Sequence, residues 1–292
     1  MSIVPLGVVA SWVVFAAAAC GSTVNYTQIS PVATGCSFAF VGTCTVDPTN
    51  AQVYSGSVAS STTGGAQMGG MTVQVIYSDG FTETLTWAST GSGGVADAAG
   101  AHRWSLTNTA DTFTNVFTLT NAAASTANIT DIILSGVGGV NAAGQGTIFD
   151  RTSNPDSSTT PDNSQTPNSR RGHDLTISSG TLNTYNITVT YSHEFSVTST
   201  NACSTAGSAP GSESPTRPCG DEWAQLGIHF NSGPGIGNFT PNSTFAFIQD
   251  TDNTNNAIAT PEPSTFALLG MGLLAGAYWR RRRSLKATSR NI

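Results

Sequence analysis

The stretch from Thr184 to Thr198 places Tyr185, Ile187, Val189, Tyr191, His193, Phe195 and Val197 on one side of an extended chain, with threonine, serine, Asn186 and Glu194 on the other. Alternation at period two over so long a run fits a strand with one buried face. It does not fit a helix, whose apolar positions recur every three to four residues. The pattern returns along the chain. Met71 to Tyr77 and Phe81 to Trp87 flank Asp79-Gly80, which reads as a two-residue hairpin turn because both positions tolerate positive φ. In the second of these strands Phe81, Leu85 and Trp87 oppose Thr82, Thr84 and Thr86. Further strands are expected at Arg103 to Asn108, Thr112 to Thr120, Asn128 to Val137, Asp174 to Ile177, Trp223 to Phe230 and Ser243 to Gln249. No helix-period segment separates them. The expected fold is therefore all-β, an antiparallel β-sandwich or jelly-roll-like ectodomain over residues 20–250.

Composition sets the class of protein. Only 10% of the 292 residues are charged, while 38% are hydrophobic, so the chain has the apolar content for a core and the low charge of an exported β protein. Charge is also unevenly placed. Arg280, Arg281, Arg282, Arg283, Lys286 and Arg290 are six of the eleven basic residues, whereas sixteen of the seventeen acids precede Pro261, leaving five cations against sixteen anions and no lysine before that point. Such a surface repels polynucleotides, and no nucleic-acid partner is expected. Thr152 to Arg171 and Ser204 to Pro218 carry almost nothing apolar and read as long rim loops. Residues 251–260, with Thr251-Asp252-Asn253-Thr254-Asn255-Asn256, read as a polar linker.

Both ends of the chain are apolar. Met1 to Ala19 reads as a signal peptide, with Ala16 to Ala19 as a cleavage site; it lacks a cation near Met1, and a permanent amino-terminal anchor is the alternative. Cys20 follows alanines, yet alanine stands where a lipobox usually holds leucine. At the other end, residues 266–279 run from Phe266 to Trp279 without a charge and stop at Arg280 to Arg283. As a helix these fourteen residues rise about 21 Å, short of the roughly 30 Å hydrocarbon core. The arginine flank decides the reading, because guanidinium stems snorkel along lipid and hold the heads on the cytoplasmic side. The run is thus expected to be a transmembrane helix followed by a basic tail, residues 280–292.

Immediately before this run stands Pro261-Glu262-Pro263. The three-part arrangement over residues 261–283 resembles the PEP-CTERM sorting signal of exopolysaccharide-producing Gram-negative bacteria. The resemblance implies recognition and processing by an exosortase-type membrane peptidase, with Pro261, Glu262 and Pro263 as the recognition residues and Arg280, Arg281, Arg282 and Arg283 as the basic stop. It further implies an inner-membrane-anchored stage with the ectodomain in the periplasm, then the cell surface or extracellular matrix after processing. Two prolines also make physical sense there, since each fixes φ and pushes its predecessor out of helical geometry.

The remaining cysteines, Cys36, Cys44, Cys203 and Cys219, are even in number in an exported chain and are candidate disulfide partners, with three connectivities open. Catalytic templates fail on residue identity: there is no G-x-S-x-G elbow and no phosphate loop, and His193-Glu194 lacks a second histidine at helical spacing. His193 reads as a core or edge histidine and His229 as solvent-facing. No cofactor is expected apart from a weak Ca²⁺ candidate: Asp250 and Asp252 beside Asn253 offer oxygens two residues apart, without the glycine or distal glutamate of an EF-hand loop. A solvated acidic turn explains the same residues. Asp150, Asp221 and Glu222 would join them only if the fold brought them to one rim. The resulting expectation is a non-enzymatic surface or exopolysaccharide-matrix protein with a structural or adhesive role. A carbohydrate-binding module using Trp87, Trp104, Trp223 or Tyr77 is one alternative, and a surface glycoside hydrolase with rim carboxylates is another.

Overall fold

A computed structural model describes residues 22–30, 43–47, 54–56, 58–60, 63–89, 93–96, 100–151, 174–178, 184–197, 222–232 and 238–258. Sixteen strands lie within them: β1 (Thr23–Ser30), β2 (Thr43–Val46), β3 (Tyr54–Gly56), β4 (Val58–Ser60), β5 (Thr72–Tyr77), β6 (Thr82–Thr86), β7 (Val95–Ala96), β8 (Trp104–Thr107), β9 (Phe117–Asn121), β10 (Ile129–Ser135), β11 (Thr147–Asp150), β12 (Thr176–Ile177), β13 (Asn186–Val197), β14 (Glu222–Phe230), β15 (Ser243–Ile248) and β16 (Thr251–Thr254). Among the described residues there is no α-helix, only a 3-10 turn at Gly65–Met68. None of these residues forms a helix long and apolar enough to cross a membrane. Residues 1–19, the run 266–279 and the tail 280–292 lie outside the described residues.

The strands form two sheets in a sandwich-like arrangement. The smaller runs β12-β15-β9-β8-β7, all antiparallel; the larger runs β2-β1-β13-β14-β10-β5-β6, with β3 added to β13 and β11, β16 and β4 branching from β14. The larger sheet is not wholly antiparallel as expected. β1 lies parallel to both β13 and β2, and β3 lies parallel to β13. Period-two patterning fixes which face of a strand is buried but is indifferent to its direction, so the sequence carries no signal for this.

Two local features make the large sheet branch. β14 pairs with β10 over residues 225–229 and with β11 at residues 222–223. At that junction a side chain on Gly136 would meet the Thr147 carbonyl oxygen at 1.8 Å, so only glycine lets β11 come in. On β13, His193 sits at φ 62°, a left-handed conformation uncommon outside glycine. Tyr185, Ile187, Val189 and Tyr191 line the main core, whereas Phe195 joins a second cluster with Tyr54, Ile148, Ala224 and Ile258. The single apolar face expected from 185 to 197 therefore ends at Tyr191, and Glu194, expected outward, is fully buried.

The core explains the tryptophans. Trp87, Trp104 and Trp223 are each at most 1% exposed, and Trp87 Nε1 donates to the Gly65 carbonyl at 2.6 Å while Trp104 Nε1 donates to Glu83 Oε2 at 2.7 Å. Tyr185 meets Phe230, Phe239 and Phe245 edge-on, each at 5.6 Å between centroids. Such contacts contribute about 0.5–1.5 kcal/mol per pair beyond burial.

Residues 251–258 correct the linker expectation as far as the described residues reach. Thr251–Thr254 is a strand with every residue buried, paired with β11 and β4. Thr251 and Asn253 have internal partners: Thr63 Oγ1 donates to Asn253 Oδ1 at 3.0 Å, Asn253 Nδ2 reaches the Gly146 carbonyl at 3.1 Å, and Thr251 Oγ1 lies 2.9 Å from Thr112 Oγ1. Polarity marked this segment as solvated, but these hydrogen bonds offset the cost of burying Thr251 and Asn253. Beyond it, Ile258 bridges in parallel to Val137, and its carbonyl accepts from Gly138 N at 2.9 Å.

The ends of β10 define two poles. At one, Ile129 lies beside Tyr77, and the start of β1 is level with it through Thr23 opposite Asn186 and Ile187 opposite Phe230. At the other, Ser135 lies beside Thr72 and the chain continues to Val137 and its partner Ile258. Eight residue steps at the strand rise separate the poles by about 25 Å.

Candidate functional site

The pole holding Ile258 gathers charge inside the fold. β11 ends in Asp150, directly opposite Glu222 on β14, and Asp150 N donates to the Asp250 carbonyl at 3.1 Å. The fold thus brings Asp150, Glu222 and the 250–252 segment together, while Asp221 lies outside the described residues. These carboxyl groups are internal: Asp150, Glu222, Asp250 and Asp252 are all buried.

Arg151 follows at once and is itself 1% exposed. It grips Asp174 with two bonds, Nε to Oδ1 at 2.8 Å and Nη2 to Oδ2 at 3.0 Å. Its guanidinium also lies 4.3 Å from the Tyr191 ring centre and 5.3 Å from that of Tyr26, where ring quadrupoles favour a cation. The Tyr26 hydroxyl donates to the Leu175 carbonyl at 2.8 Å, and Leu175 N donates to the Tyr191 oxygen at 3.1 Å. Tyr191 in turn donates to Gln249 Oε1, and Gln249 Nε2 donates to the carbonyls of Asp150 and Asp250 at 2.8 and 2.9 Å. Burial, with Asp174 adding to it and Arg151 opposing it, raises the Tyr26 phenol to about 12, and burial likewise raises Tyr191. Both therefore stay neutral. The arrangement works as a clasp joining β1, β11, β13 and the segment entering β12.

Asp250 and Asp252 do not form a solvated turn. Desolvation, followed by the neighbouring Asp252 charge, raises Asp250 to about 9, and desolvation raises Asp252 to about 8. At neutral pH such groups hold their protons, a form that donates hydrogen bonds rather than accepting protons from substrate. Ca²⁺ asks for six to eight oxygens; among the described residues no three acidic, histidine or cysteine side chains converge on a metal position. The two aspartates alone do not fit that donor set.

The opposite pole is built differently. The β5–β6 connection is a three-residue loop, not the expected two-residue turn: Tyr77 N donates to the Phe81 carbonyl at 2.9 Å, Gly80 N donates to the Tyr77 carbonyl at 3.0 Å, and Gly80 takes φ 88°. Asp79 sits at its tip. Its Oδ1 accepts from Phe81 N at 3.1 Å and its Oδ2 meets His102 Nε2 at 2.7 Å, and this bonding, His102 first, lowers the Asp79 pKa. His102 stacks on Phe81 with ring centres 4.1 Å apart and planes 10° apart, and Tyr77 closes its edge at 4.8 Å. The stack joins the large sheet to the segment entering β8 of the small one. Sequence patterning put Phe81 on the inward face with Leu85 and Trp87; Phe81 instead precedes β6 and is 42% exposed.

The other sequence-derived residues fall as follows. Trp87, Trp104, Trp223 and Tyr77 are interior and present no stacking face. His193 is half-buried and stacks on Tyr54 at 5.8 Å. His229 is solvent-facing as expected, 2.6 Å from Asp131. Cys44 lies on β2, while Cys36, Cys203 and Cys219 lie outside the described residues, as do Pro261, Glu262, Pro263 and Arg280 to Arg283. Sequence reasoning missed Arg151 and the Phe81–His102 stack. Arg151 had a usable signal, a lone cation after the apolar Ile148-Phe149 in an ectodomain poor in cations.

Comparison of the sequence with known proteins finds no match among curated proteins and none among solved structures. A family model does match at the carboxyl end. Residues 259–283 carry the PEP-CTERM protein-sorting motif, which implies exosortase processing and an exported, surface-sorted protein.

Proposed function

We propose that this chain is a non-enzymatic β-sandwich exported to the cell surface or the exopolysaccharide matrix, where it has a structural or adhesive role. In this reading Met1 to Ala19 is cut off, the helix 266–279 holds the ectodomain at the inner membrane, and exosortase recognises Pro261, Glu262 and Pro263. The observation that carries it is the sorting motif starting one residue after Ile258. Pro261 stands three residues beyond the last locked position, a reach of at most about 11 Å, so a cut at or beyond the motif leaves β16 and the whole sandwich intact. Catalysis finds little support in the buried carboxyl groups, which lie beneath the surface a polymeric substrate would touch.

The poles bear on the signal peptide. Ser22 and Ile258 leave the fold at opposite ends, so a retained amino-terminal anchor would pin the sandwich flat, whereas cleavage frees the pole of Phe81 to point outward. Mass spectrometry of the protein recovered from membranes, cell surface and medium reads both termini at once. The expected result is a surface or matrix form beginning near Cys20 and lacking the basic tail, and a Pro261→Ala, Pro263→Ala variant that stays full-length in the membrane. Normal processing of that variant would overturn recognition of the tripeptide.

A further inference from the structure

We propose that the Phe81–His102 stack is a carbohydrate-binding subsite, taking one pyranose ring of a neutral polysaccharide at the pole remote from the membrane; this rests on the surface reading above. Three large apolar side chains are exposed among the described residues, Val46, Phe81 and Val140, and Phe81 is the aromatic one. An exposed phenylalanine is ordinarily unremarked, but this one is held rigid. One ring face lies on His102, the backbone N is fixed by Asp79, and Tyr77 backs the imidazole. The residue stays 42% exposed with little rotamer freedom left to lose, which is the condition under which a single aromatic contact binds well.

The surroundings select the ligand. A pyranose presents a face of C–H bonds that lies on an aromatic ring and a rim of hydroxyls that need partners. Asp79, with 47% of its side chain exposed, keeps carboxylate lone pairs available beside Phe81. Polynucleotides and acidic polymers are disfavoured by an ectodomain with five cations and sixteen anions. A lipid surface is disfavoured too, since one ring beside a carboxylate buries little apolar area. Position agrees with chemistry. Tyr77 and Ile129 mark the pole about 25 Å from the chain exit at Ile258, so neither the sorting tail nor what processes it obstructs this end.

The test is affinity electrophoresis of the full-length chain in a polyoxyethylene detergent, in native gels containing hydroxyethyl cellulose, galactomannan or the acidic polymer alginate. Retardation by at least one neutral polymer and none by alginate is expected. Phe81→Ala should weaken that retardation by about tenfold or more, with an unchanged melting temperature, and Phe81→Trp should preserve or strengthen it. Free migration of the wild-type chain in both neutral gels, or equal retardation of Phe81→Ala, overturns the subsite. Immunodetection on intact cells keeps the two ideas separable. Surface display without polysaccharide binding sinks the subsite alone, whereas binding by a chain that never reaches the surface sinks the export reading alone.

Discussion

The two poles of the sandwich solve the problem of closing a β core in opposite ways. Near Ile258 the end is sealed by polar and charged groups drawn inside: Arg151 between two tyrosines, Asp174 across from it, Gln249 bridging two carbonyls, and a strand of Thr, Asp, Asn and Thr with no exposed residue. Near Phe81 the end is sealed by a ring stack, with its polar groups, Asp79 and His102, left partly in water. A buried ion has no solvent to fall back on, so it fixes geometry and makes substitution costly. An exposed one is screened and replaceable, which suits a surface that can vary to meet a ligand. The pole from which the chain leaves for the sorting motif is fixed by buried polar contacts; the pole of Phe81 is open to change.

The sharpest way to break this contrast is Asp174→Ala, which removes the bidentate partner of Arg151. A loss of about 3 kcal/mol is expected, read as a fall in denaturant midpoint; a loss below about 1 kcal/mol would mean that the clasp is not a fixed element.

Next comes pH. Asp250 and Asp252 have folded pKa values near 9 and 8 against 3.8 unfolded. Raised values mean that the folded state binds the protons more tightly, so this contribution is full below about pH 4, shrinks as pH rises, and is gone once pH passes about 9. Melting temperature should therefore fall between pH 5 and 9, and Asp252→Asn should flatten the slope. A flat profile in the parent protein would count against the buried pair.

At the outer end effects on stability should be small. His229→Gln, which removes the exposed partner of Asp131, should change stability by about 0.5 kcal/mol or less. Asp79→Asn should leave the melting temperature nearly unchanged while loosening the Phe81 ring, visible as sharper and more averaged aromatic resonances. A large destabilisation from either change would erase the distinction between the poles.

Much of this is legible in the order of the amino acids. The strands around Trp104, Phe117, Ile132, Val189, Leu226 and Phe245 follow from alternation, and their inward residues are the buried ones. What escaped was what alternation cannot encode. The parallel placement of β1 and β3, the branch at Gly136 and the break at His193 all depend on which distant backbone approaches. The strand Thr251–Thr254 looked like a tether because its side chains are polar, and it is a core strand because Thr63, Thr112 and Gly146 answer those side chains. The sorting motif is the converse case, legible from local order alone because a proline pair, an apolar run and an arginine block are read as a linear signal.

Sequence by itself determined the class and the destination of this protein. Period-two patterning selects strands, and the 259–283 motif marks an exported, surface-sorted protein, since both are properties of neighbouring residues along the chain. Only the tertiary structure decided the direction of the strands, the burial of Arg151, Asp250 and Asp252, and the pairing of Phe81 with His102 across two sheets. Each of these depends on groups far apart in the chain meeting in space, where desolvation and a partner's geometry outweigh a residue's own polarity.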